Sequence, residues 1–253
     1  MNKIMPLLGG LLPLTCMAEE YLPVNFDKPL RTIGVTLPAQ EAYGDARRDL
    51  TCFYYAGFMV KQIDSHEKGA EQLAIAQLAS NREPPCEENP TEGEKIINWR
   101  NWSGWFKGAK GDYLFFEDDD GRNGGLGFAI FNPAGKKIFE DSTGGDDIGT
   151  AIYVDQLDQR KIVLYYRRVY LAPCSLFADE KACWEQIAQQ TGLSEPIPDC
   201  KTAYEEEQRT TPGYAKAIKT LRSIIDYNVE VVIEPSNSKM SPLSAGKSCW
   251  LED

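Results

Sequence analysis

Six cysteines beyond residue 18, namely Cys52, Cys86, Cys174, Cys183, Cys200 and Cys249, constrain this chain more than any other feature. An even set in an exported chain points to disulfides. Their spacing lacks the paired C-x-x-C knuckles of a zinc site and the single C-x-x-C of a thiol oxidoreductase, so they read as staples. Cys52 is expected to pair with Cys86, because no other cysteine lies in that half of the chain. Cys174, Cys183, Cys200 and Cys249 then share two bridges in an order that spacing leaves open.

Export is read from the N-terminus. Lys3 precedes an apolar run from Ile4 to Leu14, and Ala18 stands before Glu19-Glu20, the layout of a secretory leader cleaved after Ala18. The run is shorter than the roughly 20 apolar residues that span a bilayer, and no later stretch approaches that length, so no transmembrane segment is expected. Cys16 raises a rival, a lipid anchor on that residue, although Pro13-Leu14-Thr15 fits the small-residue requirement poorly. The periplasm is the expected destination, with full secretion or lipid anchoring at Cys16 as alternatives. Residues 19–253 are expected to form one disulfide-stapled domain.

The chain carries 27 Lys and Arg against 38 Asp and Glu, a net charge of −11. Loss of residues 1–18 removes one lysine and no acid. Nucleic-acid phosphates would be repelled, whereas a cationic envelope protein would be attracted.

Strand signals dominate. Residues 50–64 read as one long strand rich in aromatic and β-branched types, and residues 71–78 as a weaker one. Segments 112–117, 125–131 and 137–139 are separated by Asp120-Gly121, Asn123-Gly124 and Pro133-Ala134-Gly135, a succession of hairpins. Residues 161–172 form the strongest strand. Residues 226–234 alternate, with Tyr227, Val229, Val231 and Ile233 on one face and Asn228 and Glu230 on the other. A helix capped by Asp179 should run to Gly192, and a second should place Tyr214, Ile218 and Leu221 on one stripe. The expected class is mainly β (α+β): an antiparallel sheet system, barrel or sandwich, with one or two short helices in the C-terminal third. Residues 83–95, with two prolines beside Cys86 and several acids, read as an exposed excursion tied back by a disulfide.

Candidate sites are few. In the turn running from Glu117 to Gly125, Asp118, Asp120 and Asn123 could supply hard oxygen ligands to calcium. The spacing is not that of an EF-hand, and a solvated hairpin tip explains the same composition. Trp99, Trp102 and Trp105 recur every third residue. Exposed, they would stack on sugars or anchor a partner; buried, they would build core. His66, the sole histidine, lies in a turn, and no Gly-x-Ser-x-Gly elbow accompanies it. Arg167 and Arg168 put a charge on each face of the strongest strand, so each needs an acid partner or a cleft. The expected function is a non-enzymatic, inhibitor- or immunity-like protein-binding module. The alternatives are an envelope-polymer hydrolase using paired carboxylates and a calcium-stabilised structural module.

Overall fold

The structure is a computed structural model describing residues 23–252, except 40–46, 67–68, 79–82, 99, 101, 123–124, 146, 159–160, 212, 214–216, 235–236 and 244–245. The expected leader, Cys16, Trp99 and Asn123 lie outside the described residues.

The strands form two antiparallel sheets. The first is a five-stranded meander of β1 (Arg31–Leu37), β2 (Arg48–Tyr54), β3 (Phe58–Asp64), β4 (Gln72–Gln77) and β5 (Glu94–Ile97). The second contains β6 (Trp105–Lys110), β7 (Tyr113–Arg122), β8 (Gly125–Phe131), β9 (Lys137–Thr143), β10 (Tyr153–Leu157), β11 (Ile162–Leu171), β12 (Ser223–Glu234), β13 (Asn237–Pro242) and β14 (Ser248–Leu251). Both sheets are open, so the layered architecture stands and the closed barrel does not. Helices α1 (Ile148–Ala151), α2 (Glu180–Thr191) and α3 (Lys201–Thr210), with a 3-10 turn at Ile218–Thr220, complete the elements. No described helix is long and apolar enough to cross a membrane.

The runs Tyr113-Leu114-Phe115-Phe116 and Phe128-Ala129-Ile130-Phe131 lack polar alternation because β7 and β8 are covered on both faces. Leu114, Phe116, Ala129 and Phe131 pack with Val60, Leu73 and Ile75 of the first sheet. Tyr113, Phe115, Phe128 and Ile130 join a larger core with β11, β12 and the helices. Tyr227, Val229, Val231 and Ile233 enter that core, while Asn228 and Glu230 face away, as the alternation of β12 requires. Gly104 permits the close crossing between β6 and β7: its φ is +126°, and a Cβ there would stand 1.9 Å from the Glu117 carbonyl oxygen.

Two strands are shared unusually. β12 flanks β11 along its whole length, but the other edge of β11 is divided. β10 pairs with Ile162–Tyr165, and β9 meets it at Arg168. The outer edge of β12 is divided in the same way between β14, at residues 223–226, and β13, at residues 229–234.

The bridges are Cys52–Cys86, as sequence grouping indicated, and Cys174–Cys183 and Cys200–Cys249, which resolve the open order. Cys174–Cys183 fastens α2 to the segment that follows β11, and Cys200–Cys249 fastens the start of α3 to β14. In α2, Asp179 Oδ1 accepts from Ala182 N at 3.1 Å, and Gly192 stops the helix with φ of 74°.

Three expectations are corrected. Residues 50–64 form a hairpin rather than one strand, because the chain reverses at Tyr55-Ala56-Gly57, where Tyr55 N donates to Phe58 O at 2.9 Å. The second helix is α3, upstream of the expected stripe. Ile218 lies in the 3-10 turn, Leu221 follows it, and Tyr214 is outside the described residues. Asp118 and Asp120 belong to β7, which continues past 117 with a bulge between Glu117 and Gly121.

Candidate functional site

The outward face of the first sheet carries two buried cations, Arg48 at the start of β2 and Lys61 in the middle of β3. Arg48 is 1% exposed and Lys61 fully buried. A buried charge is tolerated only when paired and hydrogen-bonded. Arg48 forks onto Glu71, at 2.7 Å from Nε and 2.6 Å from Nη2, and reaches Glu88 at 2.7 Å. Glu71, followed by Glu88, holds the guanidinium above its ordinary pKa range. Lys61 Nζ lies 2.6 Å from Glu94, which is also fully buried, and donates to the carbonyl oxygens of Glu87 (3.1 Å) and Asn89 (3.2 Å). The contact with Glu94 lacks hydrogen-bond alignment, so it is ionic rather than directional.

These cations clamp the segment from Glu83 to Glu92 over the sheet. The Cys52–Cys86 bridge and a hydrogen bond from Tyr54 OH to Pro84 O at 2.9 Å add further ties. The segment is therefore a fitted cover over Leu50, Cys52, Tyr54, Met59 and Ile63, and its carboxylates Glu83, Glu87 and Glu92 remain exposed.

Beside this cover runs β1, the outermost strand, paired only with β2 among the described residues. Ile33 and Leu37 pack partly beneath the cover, whereas Val35 between them is 44% exposed and Leu30 is 77% exposed. Arg31 bonds Glu83 at 2.5 Å and lies over the Tyr54 ring, joining strand to cover. An unpaired edge with exposed apolar side chains is a template for another strand.

His66 sits next to the same edge, half-exposed, with its Nε2 3.0 Å from Asp49 Oδ2. That hydrogen bond, and then the one from Thr36, pulls the Asp49 carboxyl down to about 2. Lys107 bridges Glu117 (3.1 Å) and Asp147 (2.8 Å). Burial opposes its charge, but the bonds to Asp147 and Glu117 prevail and its pKa is raised. Asp147 is lowered in turn: burial pushes it up, but Lys107 and the Gly149 amide outweigh that. Asp199 and Glu252 are likewise lowered. The displaced carboxyls thus hold charge, whereas a glycosidase acid needs a raised value.

Of the residues singled out in the sequence, Trp102 is buried in the core between the sheets and Trp105 is half-buried on β6. Asp118 packs on Gly127, and its Oδ1 accepts from the Asp119 amide at 2.8 Å. No group of three or more His, Cys, Asp or Glu gathers at metal-holding distance among the described residues. Arg168 pairs with Asp141 at 2.9 Å and donates to Tyr227 OH at 2.7 Å, while Arg167 pairs with Asp226 and donates to Ser248 Oγ at 2.8 Å. Arg48, Lys61 and the β1 edge were not found from sequence. The available signal was a lone Lys inside the apolar run Phe58–Ile63, opposite an acid-rich segment bridged to the neighbouring strand. No family model, curated protein or solved structure matches the chain.

Proposed function

We propose that the protein is a non-enzymatic binding module of the inhibitor or immunity type, acting in the periplasm on a basic envelope protein. The observation that carries this reading is the free β1 edge, with Val35 and Leu30 exposed, lying against an acidic cover held rigid by a disulfide and two buried cations. A partner strand would add to β1 through main-chain hydrogen bonds, and its basic side chains would meet Glu87 and Glu92. The net charge of −11 favours fast encounter with a cation.

The test is capture from envelope extract by the oxidised protein and by a Leu30→Lys, Val35→Lys variant. Both positions are exposed, so folding should be unchanged. A stoichiometric basic protein held by the parent, released by salt and lost with the variant is the expected outcome. Equal capture by both, or capture of nothing basic, overturns the reading.

A further inference from the structure

The divided edges of β11 and β12 fall at the same level of the second sheet. Tyr166 pairs with Val229 and Arg167 with Asn228, and it is beside these rows that β9 gives way to β10 and β14 to β13. Splayed neighbours leave a trough across the sheet, a cavity of about 360 Å³, within the size range of ligand pockets. Tyr153 and Tyr165 are direct partners in the β10–β11 ladder, so their rings rise from one face. Tyr165 OH is anchored on Glu230 at 2.7 Å. Asn228 and Arg167 supply the polar wall, and Leu243, 37% exposed, an apolar rim.

The charge here is balanced. Arg167 is committed to Asp226, Ser248 Oγ and the Gly246 carbonyl, and Glu230 stands beside the tyrosines. An anion would meet a neutralised guanidinium and a carboxylate. A neutral ring bearing hydroxyls would instead place its C–H face on the tyrosines and share its donors and acceptors with Asn228 and Glu230. We propose that this trough binds one ring of a neutral sugar, at a site separate from the β1 edge and independent of the protein-binding reading.

The experiment is calorimetric and NMR titration of the oxidised protein with the trisaccharides of N-acetylglucosamine, glucose in β-1,4 linkage and glucose in α-1,4 linkage, and with inorganic phosphate. Saturable binding of at least one sugar is expected, weakened by about tenfold or more in Tyr165→Ala and in Tyr153→Ala, as loss of a stacking ring implies. Tyr165→Phe, which keeps the ring, should retain most of it. Should Tyr165→Ala fail to fold, Tyr153→Ala carries the test alone. No sugar binding by the parent, binding of phosphate in preference to sugar, or unchanged affinity in the folded alanine variants overturns the proposal.

Discussion

Lys61 and Glu94 bury opposite charges face to face with no exposure on either side chain. Removing one partner strands the other in an apolar layer, so Lys61→Met alone is expected to destabilise the fold by about 3–5 kcal/mol. Adding Glu94→Leu should recover most of that loss, because no charge is then left buried. Denaturant unfolding of the two single variants and the double closes the cycle, and additive losses would show that the pair does not interact. Asp49 belongs at the same scale. Its folded value of about 2 lies below the unbound 3.8, so its contribution to stability is complete above about pH 4. That contribution is lost as pH falls through 2, the sign expected of a depressed carboxylate. Carboxyl-carbon NMR titration should place Asp49 near 2 in the native protein and closer to 3.8 in His66→Ala.

At the scale of elements, legibility followed burial. β12 and α2 could be read because each has a face that is buried in a regular rhythm, Tyr227 to Ile233 for the first and Cys183, Trp184 and Ile187 for the second, and β8 because turn signals bound its apolar run. β1, β5, β6 and β13 could not, because strands at sheet margins are held by main-chain bonds and leave little trace in side-chain pattern: β13 reads Asn-Ser-Lys-Met-Ser-Pro and buries none of them fully. α3 hides for the same reason, with Tyr204 its one buried residue amid three successive glutamates. The cover segment was legible as tied back, since Cys86 lay within it. Its fit to the sheet was not, since that depends on Arg48 and Lys61 meeting acids far along the chain. Replacing Cys52 and Cys86 together by alanine should cost roughly 3–4 kcal/mol, from the 34-residue separation of the bridge. Urea unfolding measures this, and faster proteolysis between residues 83 and 92 in the variant would locate the loosening.

For the whole molecule, charge and topology act on different events. A net charge of −11 governs how partners arrive. Screening lengths shrink from about 30 Å at 0.01 M salt to about 8 Å at 0.15 M, so the association rate with a basic partner should fall steeply over that range while dissociation changes little. Stopped-flow binding at several salt concentrations checks this, and a flat association rate would remove the electrostatic part of the proposal. Topology governs how the molecule is built. Apart from β9 with β11 and β12 with β14, every ladder between the named strands joins neighbours along the chain. Most strands therefore find their partner a short way behind them, with little loop to close; β12 is the exception, because α2, α3 and the 3-10 turn intervene between it and β11. A chain delivered from its N-terminus can zip up in the order of its arrival, locking the first sheet with Cys52–Cys86 before β6 has emerged, while β11 holds one edge open until the helices have passed and β12 arrives.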